Sequence, residues 1–320
     1  MSKTFTELCR HALNGATMGT RWSALFHQRQ GFDPAPVQAA LQAAVEEVDA
    51  QMSTWKPDSD LMRLNAAPAG TWWPVPARLM QVLDAGLTIG RASGGAFDIG
   101  LGDAVTAWGF TASDADTARI RAALKAVRHP AHTVLELDRE GLLVRKLAPL
   151  TLDLNGIAKG YGVDRLAETL GEFGIKDALV GIDGELRALG LQPDGNPWTV
   201  AVEAPDRETR TPHSILALQD AAVATSGDYR HWIEAGGRHL SHTMDPQRGA
   251  PLQTSPASVT VVAGSCMEAD AWATAMMVLG ADEGGQLAQQ QGLDALFLTR
   301  QGPRIVSRAT GKLFAGAPAE

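Results

Sequence analysis

The segment over residues 152–161 carries the clearest signal for chemistry in the chain. It reads Leu-Asp-Leu-Asn-Gly-Ile-Ala-Lys-Gly-Tyr, so that a predicted strand over residues 150–154 runs into a glycine-bracketed loop that opens a helix. Backbone N–H groups at the N-terminus of a helix attract anions, and Lys159 adds a positive charge near them. The segment therefore suits a phosphate or a pyrophosphate, although it lacks the spacing of a Walker A loop. A capped surface turn with a solvated lysine is the alternative.

A carboxylate and a hydroxyl share one face of a helix that is predicted over residues 265–279. Ser265 and Glu268 form a capping box at its start. Asp270 and Thr274 are four residues apart, which places both side chains on the same face. Their oxygens are hard ligands that suit Mg²⁺, an ion that keeps waters and substrate phosphates as its other ligands. The alternative is a hydrogen-bonded polar pair that binds no metal.

Three further segments contain weaker candidates. His242 precedes Thr-Met-Asp-Pro, and a histidine can accept a proton near neutral pH; a surface residue or a hydrogen-bonded one is the alternative. Within residues 93–100, Phe97 offers a ring for stacking and Asp98 an acceptor for a ring N–H, although Phe97 also suits a core position. Residues 225–229 lack the Gly-x-Ser-x-Gly elbow of a nucleophile and predict a structural or substrate-lining turn.

The predicted elements that must position these side chains alternate between helices, hairpins and strands. A loop is predicted over residues 57–73, and a hairpin joins residues 133–138 to residues 142–146. Helices are predicted over residues 34–52, 76–89 and 116–127 and, after the loop, within 156–172; strands are predicted over residues 20–27, 178–182, 198–203, 215–218, 259–262 and 293–298. Because hairpins and crossovers are mixed, an α+β fold (mixed α/β) with mixed sheets is expected rather than a uniform doubly wound one.

The composition excludes several classes of protein. Lys and Arg number 28 against 36 Asp and Glu, and the net charge of −8 at pH 7 argues against a nucleic-acid-binding surface, which needs clustered cations. No apolar run approaches the ~18 residues of a membrane span. Cys9 and Cys266 are too few for a disulfide scaffold or a cysteine-built zinc site. Because Glu7, Arg10 and His11 interrupt any signal-peptide core, a cytoplasmic chain is expected, or a periplasmic one if a leader has been removed.

Short motifs along nearly the whole chain resemble the FAD:protein FMN transferase family, also called ApbE. They are Met18-Gly19-Thr20, Met52-Ser53-Thr54-Trp55, Gly95-Ala96-Phe97-Asp98-Ile99, Trp108-Gly109-Phe110, Asp153-Leu154-Asn155-Gly156-Ile157-Ala158-Lys159-Gly160, Thr225-Ser226-Gly227-Asp228-Tyr229, His242-Thr243-Met244-Asp245-Pro246 and Asp270-Ala271-Trp272-Ala273-Thr274. Their agreement in order is far more specific than any one motif. The resemblance implies a T-fold-like α+β architecture with an FAD cleft between two packed lobes, in one domain over residues 1–320 that includes an N-terminal extension over residues 1–14.

The resemblance also implies an enzyme and the residues that serve it. Such an enzyme takes FAD, moves its FMN half to a Thr or Ser hydroxyl of an acceptor protein with a flavinylation threonine motif, and releases AMP. His242 would be the catalytic base for that hydroxyl. Asp270 and Thr274 would bind Mg²⁺ together with the backbone carbonyl of Gly156. The FAD site would be lined by Met18, Trp55, Ala96, Phe97, Asp98, Asp153, Lys159 and Met244.

Other functions stay open at this point, and the chain departs from the family pattern at Asp183, which interrupts a Gly-Gly pair. A Mg²⁺-dependent FAD pyrophosphatase, in which water replaces the threonine hydroxyl, would use the same site. A non-catalytic FAD-binding protein would need only part of it. Self-modification is a variant of the transferase, since Asn14-Gly15-Ala16-Thr17 weakly resembles the acceptor motif, with His11 in place of the expected Asp.

Overall fold

The computed structural model describes residues 8–206, 209–229, 232–235, 238–253, 256–302 and 304–314. Its helices are α1 (Ala35–Met52), α2 (Asp60–Ala66), α3 (Ala77–Ala92), α4 (Gly102–Ala107), α5 (Thr117–Lys125), α6 (Ala131–Val134), α7 (Ala158–Glu172) and α8 (Cys266–Gln291). Its strands are β1 (Leu8–Thr17), β2 (Thr20–Arg29), β3 (Trp72–Pro74), β4 (Leu135–Asp138), β5 (Leu143–Lys146), β6 (Ala178–Ile182), β7 (Glu185–Leu189), β8 (Trp198–Glu203), β9 (Pro212–Leu218), β10 (Ala221–Gly227), β11 (Trp232–Ala235), β12 (Arg238–Ser241), β13 (Met244–Asp245), β14 (Ala250–Pro251), β15 (Ser258–Ala263), β16 (Asp294–Gln301) and β17 (Arg304–Thr310). The expected α+β class is confirmed.

Eight strands form one antiparallel sheet in the order β1-β2-β6-β7-β10-β15-β16-β17. The first two strands are joined by a two-residue hairpin, in which Thr17 pairs with Thr20. Met18 and Gly19 have φ angles of 45° and 71°, the left-handed conformation that the tightest hairpin turns require at both central residues. The turn therefore fixes the position at which Met18 leaves the sheet.

Each face of the main sheet is covered by different elements, because successive side chains of a strand point to opposite faces. In β16, Ala295 and Phe297 belong to the core cluster that α3 and α8 share, whereas Leu296 and Leu298 pack with the β8–β9 hairpin. Strand β15 is buried along almost its whole length. Burial on both faces explains why these strands read as apolar runs in the sequence.

The smaller sheet β3-β5-β4 belongs to the same interior as the main sheet. Leu79 and Leu83 of α3, Val144 of β5 and Met276 of α8 lie in one cluster of buried side chains with Phe297. The helical part of the fold is therefore joined to the main sheet through continuous apolar packing. Among the described residues, no helix combines the length and the apolar character that crossing a bilayer requires.

Most of the predicted elements are present. The strands β6 and β8 have the predicted bounds, and α1, α3, α5 and α7 lie within a few residues of theirs. Ser265 caps α8 as predicted, since its side chain accepts a hydrogen bond from the backbone N–H of Glu268. Sequence periodicity and capping chemistry were sufficient for these elements.

The predicted strand over residues 150–154 is wrong, because a side chain takes the place of a strand neighbour. The Asn65 amide donates to the backbone carbonyl of Leu152 at 2.9 Å and accepts from its N–H at 2.7 Å. One residue on, the N–H of Asp153 donates to the carbonyl of Ile99 at 2.8 Å. The segment is extended and held on both sides without joining a sheet.

Other interpretations also need correction. The predicted loop over residues 57–73 contains α2, whose N-cap Ser59 accepts from the N–H of Met62. The predicted turn over residues 225–229 begins inside β10, where Thr225–Gly227 pair with β15 in the middle of the main sheet. The expected N-terminal extension overlaps this sheet, because Leu8–Asn14 belong to β1. In the last two cases strand pairing decided a segment whose composition resembles a turn or a tail.

Gly160 and Gly171 offer a matched pair of substitutions in α7. A Cβ atom at Gly160 would lie 2.3 Å from the backbone oxygen of Cys266, whereas one at Gly171 would meet nothing within 4 Å. We expect Gly160→Ala to lower the free energy of unfolding by about 1–3 kcal/mol, because α8 must move. Gly171→Ala should raise it by about 0.5–1 kcal/mol through helix propensity. Urea denaturation measures both changes, and equal effects would contradict the close approach of α8 at Gly160.

Candidate active site

The N-termini of α7 and α8 meet, and each helix supplies a carboxylate to the other. Asp270 of α8 accepts a hydrogen bond from the backbone N–H of Gly160 in the first turn of α7, at 3.0 Å. Asp164 of α7 accepts from the N–H groups of Cys266 and Met267 at the start of α8, at 2.9 Å each. The first N–H groups of a helix lack partners within it, so this exchange fixes the two helices against each other.

The candidate metal ligands come together at this junction. A Cβ atom at Gly156 would lie 3.0 Å from the hydroxyl oxygen of Thr274 and 3.3 Å from the ring of Phe97, so the loop backbone runs beside both side chains. The Thr274 hydroxyl also lies 3.2 Å from the hydroxyl of Ser226 in β10. Asp270 is one helical turn before Thr274 and is buried. This set of hard oxygen donors fits a small divalent cation.

The described residues contain no group of three or more His, Cys, Asp or Glu side chains that could hold a metal ion. A cation at the junction would thus depend on one carboxylate, on hydroxyl and carbonyl oxygens, and on oxygens from solvent or substrate. That is the usual pattern for Mg²⁺, which is commonly held by one or two carboxylates and by phosphates.

Charges of both signs are buried around Asp270. Burial and the nearby carboxylate of Glu185 raise the pKa of Asp270 to about 7, although Lys159 and the Gly160 N–H oppose the change. Lys159 donates to Glu185 Oε1 at 2.7 Å, and its Nζ lies 4.0 Å from Asp183 Oδ2. Burial disfavours the ammonium, but attraction to Glu185 and Asp270 outweighs it and raises the pKa of Lys159 above its ordinary value.

Two cavities contain other candidates for the FAD site. The first has a volume of about 420 Å³, and its lining includes Ala96, Asp98 and, next to Met244 in the chain, Asp245. The second has a volume of about 320 Å³ and is lined in part by Trp55 and Asp153. Trp55 is exposed, so its ring is accessible for stacking on a flat ligand. The predicted residues thus divide between two concave surfaces.

Asp98 uses part of its carboxylate to hold the backbone of the first cavity. Its Oδ1 accepts from the N–H of Gly100 at 2.8 Å and from that of Ala131 at 3.0 Å. Burial raises its pKa, and the two hydrogen bonds oppose the increase. Asp98 therefore helps to shape the wall of the first cavity.

The remaining candidates lie on neighbouring elements. Met18 reaches α7, since a Cβ atom at Gly162 would lie 3.2 Å from its terminal methyl. The ring of His242 packs edge-on against Phe110, with 6.5 Å between the ring centres. Met244 is buried in the cluster that Phe110 joins. His242 and Met244 are thus brought together through Phe110, on the side of the fold that α4 and α5 form.

Three residues that support the candidate site were not predicted from the sequence. Asn65 and Asp164 gave no signal, because their roles depend on backbone groups far away in the chain. Glu185 gave a weak one, as a lone acidic residue at the start of an apolar strand pattern. A buried acidic side chain in such a pattern needs a positively charged or hydrogen-bonding partner, and the sequence alone does not show which residue that is.

Comparison with known proteins supplies the family. The ApbE family matches residues 18–297, so this chain belongs to the ApbE family. FAD:protein FMN transferase from Escherichia coli (strain K12) is 33% identical over 296 residues, which are 91% of this chain and 84% of that protein. FAD:protein FMN transferase from Vibrio cholerae is 35% identical over 297 residues, which are 90% of this chain and 87% of that protein. The family membership expected from the motifs is confirmed.

Solved structures agree with this assignment. Flavin transferase ApbE from Vibrio cholerae superposes with a TM-score of 0.84 at 32% identity and covers 95% of this chain and 98% of that one. Flavinyl transferase ApbE from Pseudomonas stutzeri, in its apo form, gives a TM-score of 0.84 at 36% identity, with 98% of each chain covered. The fold described above is thus the ApbE fold.

The pKa of Asp153 gives the site a pH-dependent stability. Burial raises this pKa to about 6, although a hydrogen bond from the backbone N–H of Asn155 opposes the change. In the unfolded chain the carboxyl ionises near pH 4, so the folded state loses stability as the pH rises from about 4 to about 6. Asp153→Asn removes this loss. Relative to the parent protein, the variant should therefore gain about 2 kcal/mol in free energy of unfolding between pH 4.5 and pH 8.

Urea denaturation of both proteins at the two pH values measures this gain. Asp282→Asn, which changes an exposed carboxylate on α8, serves as the control and should show no comparable gain. A constant difference between parent and Asp153→Asn at both pH values would show that Asp153 ionises in the folded protein as it does in water.

Proposed function

We propose that this chain is a single-domain FAD:protein FMN transferase, which moves the FMN half of FAD to a Thr or Ser hydroxyl of an acceptor protein and releases AMP. The observation that carries the proposal is the convergence of Lys159, Asp270 and Thr274 at the meeting point of α7 and α8. Membership of the ApbE family and relatives named FAD:protein FMN transferase support it. A positive helix start and a lysine beside hard oxygen ligands suit a pyrophosphate and its metal.

Asp270 and Thr274 would hold Mg²⁺ together with the backbone carbonyl of Gly156. The buried carboxylate of Asp270 and the close approach of Gly156 to the Thr274 hydroxyl support this role. When bound, the ion would act as a Lewis acid on the phosphates and as a template for their orientation. Ser226, which hydrogen bonds to the Thr274 hydroxyl, orients that oxygen.

The chemistry of the transfer is mainly positioning and charge neutralisation. The hydroxyl oxygen of the acceptor forms a bond to the FMN phosphorus, and the bond from that phosphorus to the oxygen bridging to AMP breaks. His242 takes the proton of the hydroxyl, as a side chain suited to base catalysis near neutral pH. Lys159 and the first turn of α7 offset the negative charge that grows on the leaving phosphate.

The direct test mixes the purified protein with FAD, Mg²⁺ and a peptide that carries an Asp-x-x-Ser-Gly-Ala-Thr segment. Mass spectrometry follows the FMN adduct on the threonine, and AMP is measured in parallel. The expected result is adduct and AMP in equal amounts. AMP with free FMN and no adduct would instead identify an FAD pyrophosphatase, and bound but unconverted FAD would identify a carrier.

Asp270→Ala should abolish Mg²⁺-dependent transfer. Loss of the only carboxylate in the proposed ligand set removes the main attraction for the cation, and a fall in rate on the order of 10² or more follows. The assay above, run across a range of Mg²⁺ concentrations, measures the effect. Asp282→Ala, at an exposed position beyond the kink at Gly280, is the control. Full transfer by Asp270→Ala at ordinary Mg²⁺ would refute the metal assignment.

His242→Ala should keep the affinity for FAD and lose transfer. The side chain is proposed to act on the acceptor proton, and general base catalysis contributes about 10²–10⁴-fold to a rate. Quenching of flavin fluorescence measures FAD binding, and adduct formation measures transfer. A variant that has lost FAD binding instead would show that His242 supports the structure of the site.

A further inference from the structure

Glu185 is a buried carboxylate that the roles assigned so far do not use. It lies at the start of β7, and its side chain is only 3% exposed. One oxygen, Oε1, accepts from the Lys159 ammonium at 2.7 Å, and the other, Oε2, is buried with no hydrogen-bond partner among the described residues. A buried carboxylate is costly unless it is paired. The Lys159 ammonium is therefore the counter-ion that Glu185 requires.

A second carboxylate faces the same lysine and provides a contrast. Asp183 Oδ2 lies 4.0 Å from Lys159 Nζ, and its side chain is 47% exposed. Exposed ion pairs of this kind contribute between zero and about 1 kcal/mol. Of the two described carboxylates within 4.0 Å of the ammonium, only Glu185 combines a short distance with burial, so Glu185 is the contact that fixes its position.

A fixed position matters because of the nature of the lysine side chain. Lysine is a point charge on a flexible chain with several rotatable bonds, and about 2 kcal/mol of rotamer entropy opposes its immobilisation. At Lys159 the ammonium is already held by Glu185 and lies near Asp270. The Lys159 ammonium is therefore already in position when an anion binds at the start of α7.

We propose that Glu185 is a positioning residue for flavin transfer, which holds the Lys159 ammonium where the FAD pyrophosphate binds. The inference rests on the proposed function, because it requires that Lys159 face the pyrophosphate. The effect of Glu185 is greatest in the transition state, where charge grows on the leaving phosphate and a misplaced ammonium neutralises less of it. Its loss should therefore lower kcat more than it raises KM for FAD.

Glu185→Gln tests this role, since it keeps the shape of the side chain and one acceptor oxygen while it removes the charge. With FAD, Mg²⁺ and the acceptor peptide, kcat should fall by at least about tenfold and KM for FAD should change by less than about threefold. Asp183→Asn is the matched control and should retain the parent kcat. Asn is well suited to that position, where φ is 53°. Equal losses in both variants would overturn the proposal.

A double variant separates positioning from a purely structural role. If Glu185 acts through Lys159, Glu185→Gln should lower kcat in the parent protein and have no further effect on kcat in Lys159→Met. Glu185→Gln should also raise the melting temperature of Lys159→Met, because it removes an unpaired buried charge. Independent, additive losses of kcat would show that Glu185 does not act through the lysine and would overturn the inference.

The result for the parent protein separates a failure of the positioning role from a failure of the proposed function. If the parent forms adduct and Glu185→Gln does so with unchanged kcat, the positioning role is refuted and the proposed function stands. If the parent forms neither adduct nor AMP, the proposed function is refuted and the positioning role falls with it. Melting temperatures of all variants, measured without ligands, show whether a loss of kcat reflects unfolding.

Discussion

The site depends on one reciprocal interaction, in which each of two helices gives its first backbone N–H groups to a carboxylate of the other. Asp164 of α7 accepts from the start of α8, and Asp270 of α8 accepts from the start of α7. Neither helix can shift without leaving buried N–H groups and a buried carboxylate unpaired, which would cost several kcal/mol. The approach is possible because Gly160 has no side chain to meet the Cys266 carbonyl. The loop at Gly156 and the Thr274 hydroxyl are placed by this contact.

The charges at the helix junction are unfavourable for stability alone. Three acidic side chains, Asp164, Glu185 and Asp270, face the two cations of Arg187 and Lys159. Burial and the like charge of Glu185 raise the pKa of Asp270 to about 7, so ionising all three acids is unfavourable. Well-packed apolar residues of similar volume would often be as stable or more so. An excess of buried negative charge is, however, the condition under which a divalent cation gains most on binding. Under the proposed function, this arrangement of charges would favour a cation at the expense of folding stability.

The features of this site that lie within one helix could be predicted from the sequence, but the contacts between residues far apart in the chain could not. The Ser265 cap and the four-residue spacing of Asp270 and Thr274 are properties of one helix, so they can be read directly from the chain. The extended segment at Leu152 could not be distinguished from a strand, because its partner is the side chain of Asn65. The Lys159–Glu185 pair joins α7 to β7, and only the folded sheet shows that these charges meet. Family resemblance supplied the candidate site residues that periodicity could not indicate, and their roles stay predictions.

The small donor set proposed for Mg²⁺ has a consequence for the order of binding. One carboxylate, one hydroxyl and one carbonyl fill about half of an octahedral shell, so water and phosphate oxygens must complete it. Cation and pyrophosphate would then strengthen each other's binding by the same factor, as linkage requires. A cation held there would offset the carboxylate charge that otherwise opposes a pyrophosphate. Lys159, whose ammonium Glu185 holds in place, would add its own positive charge beside the phosphates.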